Sequence, residues 1–581
     1  MPDEGQLKFP EHSGEAAIIF SMRRSIVLIP LFLIACQLFS LASAWLPAQS
    51  SLAPTALQPA VPPALHTPES SPFPTPYQPA APTTAAQSSP TGEYSLTTPA
   101  ATAQEETFSV LFHPEGARYS GDQVSIEVIA PPDAGMKGRM VSVSTAGPAG
   151  VELGESQFEP YGLGGRIQAA FLWIWDTSGY PAGEQSLTFS VQPDGPVWME
   201  TITLLPRGQL PPAEAQAAWA SAKSACCVVH YLTHSSAERD LPALLAMMDE
   251  QAEKVSQQMG MRLNEPVPVV LVPRLIGQGG FTGREIVLSY LDRNYVGADP
   301  AVLFHHELVH FTDNRSGGDL KPAMLVEGLA VYLSDGHYKQ EPLLPRLAAL
   351  LPPEPGCLPV AQALSVKAAQ PGATKICGLD RYIPIEDLLS QFYLAQHEIG
   401  YLEAGSLVEF MVDTWGWTAF SGFYRDIHPL ENPTAQPAGR DFSQARAVEA
   451  ALQRHFGLTL AQLEARFLQT VNDAPVRPQD VEDVSLTIRF YDSVRRYQLI
   501  LDPSAYFLNA WLPDTEQMRQ HRIVADVLRN PTGPRNSALE TMLITAHAYL
   551  KQGRYAQVQR LLDAIDLVLI SVSPIGNQVF R

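Results

Sequence analysis

The sequence predicts a multidomain chain: a β-sandwich, then an α+β unit, then a mainly α-helical C-terminal region. Three observations predict this. The 581 residues exceed what a single core organises. Residues 106–205 alternate apolar and polar positions in short runs separated by Gly/Pro turns, the pattern of half-buried strands. Beyond them a few apolar strands give way to long stretches with helical spacing, nearly continuous from Pro384 onward.

The chain opens, over residues 1–46, with an export signal or anchor. Met22-Arg23-Arg24 is basic, Ser25 to Leu41 is almost wholly apolar, and Ala42-Ser43-Ala44 has the small-x-small form of a cleavage site. Met22 is then the expected start of translation. Leu33-Ile34-Ala35-Cys36 also resembles a lipobox, and the apolar run approaches spanning length. Cleavage after Ala44, lipidation at Cys36 and an uncleaved membrane anchor all remain open at this point. Each puts the rest of the chain outside the cytoplasm, secreted or held at a bacterial-type cell surface. Residues 47–105, rich in Pro, Ala, Ser and Thr, have too little apolar surface to offset their ordering entropy and read as an extended, disordered linker.

In the sandwich region "QVSIEVIAP" alternates cleanly, "RIQAAFLWIWDTSGYPAGEQSLTFSVQP" gives two strands around a Gly/Pro turn, and "VWMETITLLP" adds another. Trp175 to Val191 resembles the last hairpin of bacterial immunoglobulin-like (Ig-like) modules. No catalytic cluster falls there, so spacing or binding is its expected role. Residues 225–472 follow. They hold a strand at "CCVVHYL", a long amphipathic helix from about Ala237 to Gly260, and buried strands at "VPVVLVP" and "REIVLSYL". The glycine-rich "GQGGFTG" precedes the last strand. In residues 473–581, "ALETMLITAHAYLKQGRYAQVQRLLDAID" reads as a helical hairpin turning at Gly553, similar to one tetratricopeptide-type unit. A packing or docking role is expected for it.

The net charge of −21 argues against nucleic acid as a partner and against a polybasic grip on anionic lipid. Beyond Cys36 the cysteines are Cys226, Cys227, Cys357 and Cys377, with no C-x-x-C pair to suggest a cysteine zinc knuckle. Export permits disulfides, and a staple between Cys357 and Cys377 across one Pro/Gly-containing loop is the first expectation.

The chemistry concentrates in "FHHELVHFTDN", Phe304 to Asn314. His306 and His310 stand at i and i+4 on a predicted helix, so both imidazoles face one point. Zinc accepts neutral imidazole nitrogen, and a catalytic site takes three protein ligands and an open position. Glu327 follows His310 by seventeen positions at the start of a second helix, "VEGLAVYL", and offers the third ligand. Glu307, beside the pair, is placed to act as general base. His305 points about 100° away from His306 and is not expected to bind the metal. Asp313 and Asn314 are candidates to orient a liganding histidine.

H-E-x-x-H followed by E-G-x-A resembles the gluzincin metallopeptidases, in particular the peptidase MA-like domains of exported bacterial proteins. The resemblance covers about Cys226 to Val471. It implies a thermolysin-like core with Zn2+ held by His306, His310 and Glu327, and Glu307 as base. It also implies that the strand led by "GGFTG" is an edge that pairs with extended substrate backbone. Tyr401, in "GYLEAGSLVEFMVDTWG", resembles the tyrosine that donates to the oxyanion. The family form has two residues between that tyrosine and a glycine, whereas three separate Tyr401 from Gly405. The glycine-methionine-glutamate-asparagine signature of the aminopeptidase branch is absent, so nothing reads a free substrate N-terminus. The expectation is therefore a tethered zinc peptidase acting on peptide or protein substrates. Its rival is a non-catalytic surface scaffold that retains the gluzincin fold. A hydrolase acting on a non-peptide amide would use the same residues.

Overall fold

The computed structural model describes residues 108–581 apart from 115, 132–133, 147–149, 162–165, 274–278, 366–374, 431–441, 503–514, 530–533 and 573–581. The export signal and the linker expected over 1–105 lie outside the described residues. Contacts divide the chain into Met1–Pro99 and Ala100–Arg581, and every described residue belongs to the second unit. The architecture is mixed α/β and multidomain, with β-sheets in the middle of the chain and a helical C-terminal region.

Nine strands come first: β1 (Ser109–His113), β2 (Arg118–Tyr119), β3 (Gln123–Ile129), β4 (Met140–Thr145), β5 (Glu152–Gln157), β6 (Glu159–Tyr161), β7 (Arg166–Asp176), β8 (Gly183–Gln192) and β9 (Val197–Leu205). They form two sheets, ordered β1-β3-β7-β6 and β2-β9-β8-β4-β5. Val124, Ile126 and Val128 of one sheet share an apolar core with Val141, Leu187, Phe189 and Val191 of the other. Their spacing of two is what turns each set to the same face. An irregularity in the β3–β7 register between Val124 and Ile126 breaks the alternation, and the Trp173 N–H donates to Ser125 Oγ there. Trp173 then joins a different apolar cluster, outside the shared core.

After α1 (Pro212–Gln216) come β10 (Trp219–Lys223), β11 (Cys227–Leu232), α2 (Ser236–Met259), β12 (Val267–Val272), β13 (Gly280–Thr282) and β14 (Ile286–Ser289). The sheet order is β10-β11-β12-β14-β13. β11, β12 and β14 run parallel, and β10 and β13 are antiparallel edges, so the "REIVLSYL" strand expected at an edge lies inside the sheet as β14 and the glycine-led "GFT" forms the edge instead. The central strands are mostly apolar because both faces are covered. Val229, Val269, Leu271, Ile286 and Leu288 pack with α2 and the helices beyond it. On the opposite face Leu232, Val270, Val272 and Val287 meet Met518, Ile523 and Val527, with Trp173 at the margin.

The helices after the sheet are α3 (Pro300–Asp313), α4 (Ala323–Leu333), α5 (Leu343–Ala348), α6 (Val360–Ser365), α7 (Ile385–Gln391), α8 (His397–Trp415), α9 (Trp417–Arg425), α10 (Ser443–Phe456) and α11 (Leu460–Asp473). The C-terminal region adds α12 (Pro478–Leu501), α13 (Thr515–Gln520), α14 (Ala525–Leu528), α15 (Pro534–Lys551) and α16 (Tyr555–Val572). α15 and α16 form the expected hairpin, with Gly553 at φ +66° in the turn, and pack on α12 through Phe490, Val494, Leu543 and Leu562. Among the described residues no helix is long and apolar enough to cross a membrane.

Cys357 and Cys377 are disulfide-bonded, as expected, and Cys226 is joined to its neighbour Cys227. The segment 515–529 fastens the first two sheets to the third. Arg529 bridges Asp122 and Glu214 and lies over the Tyr119 ring, while Trp173 Nε1 donates to Asp526 and Trp219 Nε1 to the Ile523 carbonyl.

Candidate metal centre

α3 starts where Asp299 accepts from the Ala301 N–H and Pro300 takes the first helical position, whose N–H needs no partner. The helix runs through the interior and buries residues on every side, His305, His306 and Glu307 among them. α4 begins after Pro322, at Ala323, so Glu327 lies in its second turn rather than at its start. Gly328, the next residue, lets α4 lie directly on α8. A Cβ there would stand 2.5 Å from the Ala404 carbonyl oxygen.

The two helices bring the three expected ligands together. His306 Nε2 is 3.0 Å from His310 Nε2, and each nitrogen is 3.2 Å from Glu327 Oε2. Ligands of a tetrahedral zinc lie about 3.3 Å apart at the usual bond lengths. Three donors with these edges fit one face of that tetrahedron, and the set of two imidazoles and one carboxylate is one zinc takes.

Charge in the site follows from burial and from Glu327. Burial disfavours the imidazolium of His306 and lowers it to about 4, which keeps the lone pair available. Burial acts the same way on His310, but the Glu327, Glu307 and Asp313 carboxylates outweigh it and push His310 up to about 9. The anionic pull that retains a proton there equally favours a divalent cation in its place. Burial pushes Glu307 up to about 7.

Glu307 is held by the edge strand. The Thr282 hydroxyl lies 2.7 Å from Glu307 Oε2 and 2.8 Å from its backbone carbonyl oxygen. Gly280 faces the other oxygen, and a Cβ there would stand 2.8 Å from Oε1. Tyr401 lies in the second turn of α8, with its ring centre 6.3 Å from that of His306 and stacked 3.9 Å from that of His337. Burial and the Glu327 charge raise its phenol well above the usual range, so it stays protonated.

The His305 ring points away from the His306, His310 and Glu327 cluster. Its two ring nitrogens lie 2.9 and 3.0 Å from the side-chain oxygens of Gln251 and Gln258. Asp313 does not orient a histidine. It accepts from Tyr424, Ser316 and Lys321 and closes the end of α3. Among the described residues the buried Nδ1 atoms of His306 and His310 have no hydrogen-bond partner.

Sequence reasoning missed Tyr393. Its side chain is 69 % exposed, yet its hydroxyl donates to Glu327 Oε1 at 2.9 Å, leaving Oε2 to face the histidines. It sits on a 3-10 turn with Leu394, which is also exposed, and only the turn's approach to Glu327 brings it in. His337 was missed as well. The His397-Glu398 pair four residues before Tyr401 was the one available signal of a second polar cluster. Neither protein-family models nor curated proteins give a match to this chain.

Proposed function

We propose that this chain is a zinc-dependent peptidase of gluzincin type, exported and tethered at the cell surface, which hydrolyses peptide bonds in peptide or protein substrates. The observation that carries the reading is the triangle of donor atoms from His306, His310 and Glu327, 3.0–3.2 Å on a side, with the Glu307 carboxylate next to it in sequence. On this reading 225–472 is a thermolysin-like core and 106–205 an Ig-like sandwich. The shared apolar core of the two sheets over β1–β9 and the mixed sheet leading into α3 support those assignments.

Zinc, when bound, supplies a Lewis acid that polarises the substrate carbonyl and acidifies water. The chain's own residues do the rest. Thr282 fixes Glu307 through Oε2, and Oε1, opposite the bare Gly280, takes the proton from the attacking water and returns it to the leaving amine. Tyr401, protonated and beside His306, donates to the developing oxyanion. Tyr393 holds Glu327 through one oxygen. β13 is the outer strand of its sheet, and its backbone offers an edge to extended substrate.

Glu307→Gln tests the assignment. Peptide hydrolysis should fall by about 10²–10⁴-fold while zinc content is unchanged. Full activity in that variant would remove Glu307 from the mechanism. No zinc in the wild-type chain would favour the scaffold reading.

A further inference from the structure

A second cluster of two histidines and a glutamate lies beside the first. His337 Nδ1 is 3.2 Å and His397 Nδ1 3.0 Å from the same atom, Glu398 Oε1, and the three donor atoms lie within 4.8 Å of one another. The fold delivers them from the helices that already frame the centre. His337 follows the end of α4, the helix of Glu327, while His397 and Glu398 open α8, the helix of Tyr401. The His337 ring is centred 5.7 Å from that of His306, and the Tyr401 ring packs on both His337 and His397.

We propose that His337, His397 and Glu398 form a second divalent-cation site adjacent to the first. The arrangement repeats the first in its essentials: two imidazole nitrogens converge on one carboxylate oxygen, a set that suits Zn2+, Fe2+ or Mn2+. Hydrogen bonding alone would satisfy the polar atoms, with both Nδ1–H groups donating to Oε1. It would compensate the carboxylate only by protonating one of the two imidazoles. Glu398 is buried, and its ion-pair partners among the described residues are the two histidines, with no lysine or arginine. A position in the first turn of α8 stabilises an anion, but by far less than burying a charge costs. A divalent cation held by two neutral imidazoles supplies the positive charge in place of that proton. The site makes no claim on catalysis, and it rests on the function proposed above only in placing a first cation at His306, His310 and Glu327.

The test is metal stoichiometry. The full chain is stripped with chelator and titrated with Zn2+, and separately with Co2+ followed by its visible absorption. About two equivalents are expected, one of them lost in His397→Asn and in Glu398→Gln, the other in His310→Ala. Circular dichroism checks that each variant folds, and the wild-type titration stands without any variant. About one equivalent, removed by His310→Ala and kept in His397→Asn, overturns the second site and leaves the cluster a hydrogen-bonded one. One equivalent removed by His397→Asn alone supports the second site and sinks the first. No binding by the wild-type chain overturns both.

Discussion

Replacing Gly328 by alanine isolates the contact that brings Glu327 to the two histidines. In an ordinary helix interior this substitution stabilises, by about 0.8–1.0 kcal/mol. Here the new methyl would lie 2.5 Å from the Ala404 carbonyl oxygen, 2.8 Å from its carbon and 3.1 Å from Val408 Cγ2. Ordinary contact begins at 3.4 Å, so α4 and α8 must part by about 1 Å at this point, because the obstacle is backbone and cannot rotate away. Overpacking of this kind costs about 1–3 kcal/mol, which cancels or exceeds the propensity gain. The sign therefore distinguishes the two cases. Thermal melts should show Gly328→Ala no more stable than wild type, and up to about 2 kcal/mol less so. Glu327 is the adjacent residue, and a displacement of about 1 Å in a positioned group costs about 10²-fold in rate. Zinc affinity, by competition with a chromophoric chelator, should weaken in parallel. A variant more stable than wild type with unchanged zinc affinity would refute the close approach of α4 to α8.

Three other perturbations follow from the same geometry. Glu403 is buried in α8 with Oε1 accepting from the Ile383 N–H, and burial raises its carboxyl well above the usual range. The folded state thus holds the proton more tightly than the unfolded one: its contribution is complete below the unfolded value near 4.5 and is lost as pH rises toward the folded value. Glu403→Gln, which mimics the protonated acid, should be more stable than wild type at neutral pH and level with it at pH ~4 in paired melts; a difference that does not depend on pH would exclude this account. Arg529→Met leaves Glu214 without its cation and Asp122 with only the exposed Arg207, at a cost of about 3–5 kcal/mol, and should expose the 515–529 segment to limited proteolysis before the rest of the chain. Unchanged protection would show that the apolar contacts of Trp173 and Ile523 hold the sheets together unaided. Thr282→Val removes the hydroxyl at Glu307 Oε2 and should lower kcat by about tenfold or more with KM little changed, since a hydrogen bond to a charged group contributes about 1.5–3 kcal/mol; an equal kcat would separate Thr282 from the base.

What could be read from the sequence was local. The i, i+4 pair of His306 and His310 needs only one turn of helix to converge, and the helix declares itself by Asp299, Pro300 and its apolar spacing. The hairpin at Gly553 and the bridge between Cys357 and Cys377 likewise join segments close in sequence. α4 begins at Ala323, three residues before the expected "VEGLAVYL", directly after Pro322 at its cap. Two other features depend on long-range packing that no window of sequence contains. Covering the far face of the sheet with residues 515–529 requires Val270 and Val287 to meet Met518 and Ile523 from more than two hundred residues away. Tyr393 reaches Glu327 because a short turn after α7 rests on the buried Phe392.

The same distinction explains why the ligand triangle is complete on paper while its surroundings are not. Its third corner also arrives over a distance, yet the sequence marks it, because the close approach of α4 and α8 demands a residue without a side chain beside the carboxylate. Glu327-Gly328 carries the ligand and the reason it can be delivered in adjacent letters. The residues around the triangle have no such constraint. Thr282, Tyr393 and His337 act through hydroxyl and ring positions set by turns and strand ends, where many sequences give the same backbone. A helix-borne site is therefore easier to read than the groups that tune it.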